Sequence, residues 1–343
     1  LAVEKVNFFG GIITILNYEK IKNIRKQIQT QYPEFPFPEN SYLVLYSARS
    51  GSNLLCKYLA KVGMGNPVEA FNPNISNRKR LNWGIDYKDP IEHLHTSIKQ
   101  QSVNNIMGMK LSIPHFNLFL TTARAVVGDA SLSESEMIEV IFPNVKYIHI
   151  QRKGKIRQAI SFSKAKQNGI WLQKVGEDKT YLDYIIPAVY DREHIECCFD
   201  KLLMEDAAWN HFLTRHHLPF LHVWYEDLAK EPEKTVNEVY NFLGIEGKEV
   251  VRAPLRKQSN TKSKDWEAKF RKETPWLQNK SIKEALENGD LLSLATARNV
   301  MITEQRENER YWQMPATKFK WFRKWFIRGK RKLNKIFNKS KRN

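Results

Sequence analysis

Residues 42–46 read Tyr-Leu-Val-Leu-Tyr, a continuous apolar run of strand length. A run without polar alternation fits a strand buried on both faces, as in a parallel sheet. The polar stretch 47–51 interrupts it. Apolar positions then resume at Leu54, Leu55, Tyr58, Leu59 and Val62, a helical spacing closed by Gly63. The first unit is therefore strand, loop, helix. Further apolar runs of strand length stand at 106–111, 145–150 and 221–225. Helical patterns cover 155–166 and 201–216, and a third starts behind Pro232 and stops at Gly244. Strands alternating with helices predict an α/β fold, a parallel sheet with helices on both faces. Residues 1–40 read as an N-terminal arm ending in a proline-rich stretch, 41–312 as one α/β domain, and 313–343 as a basic tail.

Composition permits such a domain. The chain has 343 residues, 42% of them hydrophobic and 12% aromatic, which excludes wholesale disorder. The formal net charge is +18, but residues 316–343 carry twelve Lys or Arg and no Asp or Glu, so the rest is only mildly basic. A mildly basic domain suits an anionic nucleotide or glycolipid and does not by itself indicate nucleic acid. The three cysteines, Cys56, Cys197 and Cys198, make neither a disulfide framework nor a metal-ligand spacing. Cys56 lies among leucines and reads as core. A reducing, cytoplasmic compartment is expected. No apolar run reaches the length of a membrane span. The stretch 8–16 is short, contains Gly10 and Gly11, and lacks the flanks of a signal peptide. The chain begins with Leu1, so an upstream signal or anchor stays open.

The loop Ser47-Ala48-Arg49-Ser50-Gly51-Ser52-Asn53 follows the first strand and opens its helix. Backbone N–H groups there point at whatever occupies the helix N-terminus, and the helix dipole favours an anion. Gly51 permits close backbone approach, Ser50 and Ser52 supply hydroxyls, and Arg49 adds charge. A plain helix cap at Ser50 or Ser52 explains the stretch equally well. It is not a Walker A loop, because no Gly-Lys pair follows Gly51 at the required spacing. A second signal is Arg152 at the end of the 145–150 run, with Ser161 in the following helix. Ligands of open α/β sheets gather at the carboxyl ends of strands, where an arginine and a hydroxyl can grip a phosphate. Alone, this pair reads as a surface arginine and a helix serine.

Together these stretches resemble one family. Residues 47–55, Asn66-Pro67-Val68-Glu69-Ala70-Phe71, Gly108-Met109-Lys110-Leu111, 148–171, Trp224-Tyr225-Glu226-Asp227-Leu228 and 256–271 occur in the order found in bacterial trehalose-type carbohydrate sulfotransferases. That family is related to enzymes that sulfate glycolipids and lipopolysaccharide. The stretch Gln158-Ala159-Ile160-Ser161-Phe162, with Gln167, Gly169 and Trp171, is particularly similar, and the resemblance covers about residues 41–272. It implies a P-loop-like sulfotransferase fold and 3′-phosphoadenosine 5′-phosphosulfate (PAPS) as donor. Arg49, Ser50, Gly51, Ser52 and Asn53 would hold the 5′-phosphosulfate, with Asn53 where the family commonly has Thr. Arg152 and Ser161 would take the 3′-phosphate, and Arg256 and Lys257 would add a further nucleotide contact. Glu69 would be the catalytic carboxylate, its pKa expected to rise through burial near Pro67 and Phe71. Lys110 would neutralise charge on the transferring group. Outside this context Glu69 reads as an exposed loop glutamate and Lys110 as a snorkelling surface lysine. His115 and His149 are expected to be structural, as are Asp227, read as a cap, and Leu228, Trp266 and Phe270, read as packing residues. No metal is required.

The acceptor implied is a carbohydrate or glycolipid hydroxyl, reached through loops 72–96 and 173–194. The tail sets Phe319, Phe322, Phe326, Leu333 and Phe337 near one helical face among cations. This reads as an amphipathic helix in peripheral contact with an anionic membrane, on the inner face. Nucleic-acid or protein binding and a solvated tail are the alternatives, and no specific nucleic acid is expected. The rival functions are a different nucleotide-dependent transferase such as a kinase, and a non-catalytic membrane-surface or nucleic-acid-binding protein. The sequence does not decide between a monomer and a homodimer.

Overall fold

The computed structural model describes residues 18–72, 89–171, 187–245 and 261–308, with side chains described for 263–302 in the last segment. The chain divides into two compact units, Leu1–Ala295 and Thr296–Asn343. The second is described only through Asn308, where it is helical. In the first unit the order is α1 (Tyr18–Gln31), β1 (Asn40–Tyr46), α2 (Ser52–Lys61), α3 (Pro90–Gln101), β2 (Ser102–Val103), β3 (Ile106–Leu111), α4 (Ile113–Val127), α5 (Glu134–Ile141), β4 (Lys146–Gln151), α6 (Lys155–Asn168), α7 (Arg192–Arg215), β5 (Phe220–Trp224), α8 (Tyr225–Lys230), α9 (Pro232–Leu243), α10 (Thr261–Glu273) and α11 (Lys280–Asn288).

The described strands form one sheet in the order β2-β3-β1-β4-β5. β1 lies between β3 and β4, parallel to both; β5 is parallel to β4, and β2 is antiparallel to β3. The fold is thus α/β with a mostly parallel sheet, as the alternation of patterns predicts. The chain passes from β1 to β3 on one side, then returns to β4 on the other. The loop leaving β1 therefore sits where the strand order reverses, the place such sheets bind ligands.

The unbroken apolar run of β1 has a direct cause. Leu43 and Leu45 enter a core layer with Met107, Met109, Phe119, Phe142 and Trp209. Tyr42, Val44 and Tyr46 enter the opposite layer with Leu55, Leu59, Ile148, Ile150 and Val239. Both faces are dry, so neither set of alternating positions is polar. The segment read as an arm contributes as well. Ile21, Ile24 and Ile28 of α1 form a helical stripe buried in the first layer.

Two departures from the pattern reading matter for the site. Helix α7 begins at Arg192, capped by Asp191, whose side chain accepts from the His194 N–H. Its first turns are charged, so the apolar period is legible only from 201 onward. The strand read at 221–225 is Phe220–Trp224, and Tyr225 already opens the short helix α8.

One contact on β3 places the loop that carries Glu69. A Cβ on Gly108 would meet the Tyr42 hydroxyl at 2.3 Å. With the space left open, Tyr42 donates to the Met64 carbonyl at 2.5 Å. The segment then runs alongside β3 through a parallel bridge between Val68 and Met109, and the Lys110 N–H donates to the Val68 carbonyl at 3.2 Å. Glu69 is thereby delivered beside Lys110.

Candidate active site

The loop after β1 turns twice through left-handed backbone, at Arg49 (φ 65°) and at Gly51 (φ 92°). Gly51 is the N-cap of α2, and no side chain caps that end. The simple capping role for Ser50 or Ser52 is therefore not realised, and the first N–H groups of the helix remain for another acceptor. Ser50 and Ser52 are buried, and Ser50 Oγ has no hydrogen-bond partner. Gly51 also packs flat on another element: a Cβ there would stand 2.3 Å from Cδ2 of Tyr225.

Arg49, Arg152 and Ser161, far apart in sequence, converge beside this loop. Arg49 Nε donates to Ser161 Oγ at 2.9 Å, and its Nη1 donates to the Trp171 carbonyl. The Arg152 guanidinium lies over the Tyr225 ring, 4.8 Å from its centroid. Arg152 Nε is buried without a hydrogen-bond partner. Burial, then repulsion from Arg152, brings the Arg49 pKa down to about 10. Burial likewise lowers that of Arg152, against the attraction of Tyr225 and Glu226. Two neighbouring guanidiniums, an orphaned hydroxyl and an uncapped helix end make a site that lacks negative charge.

On the other flank, β3 presents Lys110, whose side chain is only 3% exposed. Its Nζ lies 2.7 Å from Glu69 Oε1, donates to Asn53 Oδ1 at 2.5 Å, and stands 4.7 Å from the Tyr46 ring centroid. Neither bland reading survives: Glu69 is not an exposed loop carboxylate, and Lys110 does not snorkel to the surface. Tyr46 OH donates to Glu69 Oε1 at 2.7 Å and Asn72 Nδ2 to Oε2 at 2.6 Å. The expected rise in the Glu69 pKa is corrected here. Burial does push it up, but the Lys110 charge and the hydrogen bonds from Lys110 and Asn72 outweigh burial and hold it at about 2. Asn53 serves through its carbonyl oxygen, as an acceptor for Lys110.

His115 is neutral, its pKa lowered to about 4 by burial despite the attraction of Glu69. His149, fully buried in β4, is lowered to about 3, also by burial. Leu228, Trp266 and Phe270 are buried, as read from the sequence, and Cys56 is buried and free. The structural role given to Asp227 belongs instead to its neighbour. Glu226 accepts the N–H groups of Lys153 and Gly154, both at 3.0 Å, and so fixes the turn that carries Arg152. The Asp227 carboxylate only approaches Lys153 Nζ at 4.0 Å. Tyr225 and Glu226 were legible only as part of a recurring stretch. Arg256 and Lys257 lie outside the described residues, as do the tail and most of both acceptor loops. Among the described residues no cluster of His, Cys, Asp or Glu could hold a metal ion, and no helix is long and apolar enough to cross a membrane.

The chain is similar in sequence to known proteins. The family model described as Stf0 sulphotransferase matches residues 41–273. The trehalose 2-sulfotransferase of Mycolicibacterium smegmatis is 26% identical over 259 residues, 68% of this chain and 95% of that protein. That of Mycobacterium tuberculosis is 26% identical over 265 residues, 69% and 96% of the two chains. Among solved structures, a sulfotransferase from Alicyclobacillus acidocaldarius superposes with a TM-score of 0.36 at 12% identity, covering 66% of this chain and 89% of that one.

Proposed function

This chain belongs to the Stf0 sulphotransferase family, and on that premise we propose that it transfers a sulfuryl group from PAPS to a hydroxyl of a carbohydrate or glycolipid. One observation carries the donor: the uncapped N-terminus of α2 with Arg49, Arg152 and Ser161 converging beside it. These residues fit a donor charged at both ends of its nucleotide. The loop 49–53 would hold the 5′ end, and Arg152 and Ser161 the 3′-phosphate. Arg256 and Lys257 are proposed as further contacts from the sequence resemblance alone. PAPS supplies the sulfuryl group and leaves as adenosine 3′,5′-bisphosphate.

The chain's own residues account for the rest. The acceptor oxygen bonds to sulfur as the bond from sulfur to the phosphate oxygen breaks, and Glu69 takes the hydroxyl proton. Lys110 holds positive charge where negative charge builds. While Lys110 answers Glu69 alone, the carboxylate is a feeble base. As the ammonium is drawn toward a second anion, burial regains its effect and the carboxylate gains proton affinity. Lys110 thus ties the strength of the base to the presence of the donor.

The trehalose 2-sulfotransferases among the relatives favour a sugar acceptor. Incubation of the full-length protein with PAPS and trehalose, or an extract of membrane glycolipids, tests this. Sulfated sugar with matching bisphosphate release supports it; donor turnover equal with and without sugar refutes it. The free cysteines suit the cytoplasm. The cation-and-aromatic pattern of 313–343 supports peripheral contact with an anionic membrane. A truncation after Met314 that still sediments fully with anionic vesicles would refute that contact.

A further inference from the structure

The donor loop is gripped from behind by side chains that have no part in the reaction described above. We propose that Gln158, oriented by the buried Lys155–Asp206 ion pair, is a positioning residue that sets the shape of the donor loop; its ligand rests on the functional reading above. Gln158 Nε2 donates to Ser47 Oγ at 3.0 Å and to the Ala48 carbonyl at 2.7 Å. Its Oε1 accepts from Lys155 Nζ at 2.7 Å, and Lys155 Nζ lies 2.5 Å from Asp206 Oδ2. Lys155, Gln158 and Asp206 are at most 1% exposed.

The chemistry of this chain fixes its direction. An ammonium only donates, so Lys155 must face the amide oxygen, which leaves the NH₂ group to the loop. Without the lysine the amide could turn either way. A buried ion pair is a poor stabilising device, since apolar side chains of the same volume do as well. Its orientation of one neutral amide against one loop gives it a purpose that packing does not.

The grip continues along the backbone. Trp209 Nε1 donates to the Tyr46 carbonyl at 3.1 Å. Residues 46–48 are thus held in turn from α6 and α7. The left-handed turn at Arg49, a conformation an L side chain rarely adopts, begins immediately after the clamp. One turn further along α6, Ser161 accepts from Arg49. The same helix therefore touches both ends of the proposed donor site.

Gln158→Glu isolates the role. A carboxylate at 158 keeps its contact with Lys155 but cannot donate to Ser47 or Ala48. In the full-length protein, amide hydrogen exchange in 47–53 should rise at least about tenfold while α4 and α5 exchange as before. The Kd for adenosine 3′,5′-bisphosphate and the KM for PAPS should both rise by about tenfold, with the acceptor KM unchanged. Asp206→Asn should reproduce the loosening without adding a carboxylate. If Gln158→Glu does not fold, Gln158→Met removes the same two donations at similar volume and is read the same way. Unchanged loop exchange and unchanged bisphosphate affinity in a folded variant would overturn the proposal. If the wild-type protein failed to bind the bisphosphate, the functional reading would fall, and loop exchange alone would then decide for or against the clamp.

Discussion

Lys110 Nζ stands 2.7 Å from Glu69 Oε1, and this contact reverses what burial does to the carboxylate. A buried glutamate without a partner would be a strong, inert base that is already protonated. Paired, it is charged but weakly basic, with its proton affinity controlled by the cation beside it.

Glu69→Gln therefore separates binding from turnover. The amide keeps an oxygen for Tyr46 and Lys110 but takes no proton. Turnover should fall by about 10²–10⁴-fold, with the affinity for adenosine 3′,5′-bisphosphate within about twofold of wild type. Parallel titrations and initial rates check this, and near-normal turnover would remove Glu69 from the role of base.

The same pair sets a pH dependence of stability. The Glu69 pKa in the folded protein, about 2, is below its ordinary value of 4.5. Its contribution is complete above about pH 4.5 and is lost as pH falls toward 2. Between pH 6 and pH 3, denaturant midpoints of the wild type should fall further than those of Glu69→Gln. Equal falls would mean the pair contributes nothing to folding.

Gly51→Ala tests the loop against Tyr225. The new Cβ would lie 2.3 Å from the ring, at a backbone φ of 92°. Left-handed strain costs about 1–2 kcal/mol and overpacking about 1–3 kcal/mol. The variant should lose stability by about the sum and bind the bisphosphate poorly. Adding Tyr225→Ala should recover the overpacking part and not the strain, a coupling that a double-mutant cycle measures.

The sheet was legible because β1, β3 and β4 are buried along nearly their whole length, on both faces, and β5, partly exposed at the edge, keeps its apolar residues. Arg49, Arg152, Ser161, Glu69 and Lys110 were legible only through the order of short motifs. Their convergence depends on strand order, which no local pattern encodes. The sign of the Glu69 shift was not legible, because it depends on Lys110 and Asn72, one across a strand pair and one in the same loop. The burial of α1 was not legible, because its apolar stripe of three isoleucines is narrow and surrounded by charge. Gln158 was legible only as part of a stretch shared with the family, and its role, like those of Lys155 and Asp206, was not, since buried polar residues look like surface residues until the helices around them are in place.

The most direct test of the account is calorimetric titration of adenosine 3′,5′-bisphosphate, with ATP and AMP as controls and Arg152→Ala beside the wild type. The account predicts tight binding of the bisphosphate, much weaker binding of ATP and AMP, and a loss of at least about tenfold in the variant. No binding, or equal binding of ATP, would contradict the assignment of the donor site.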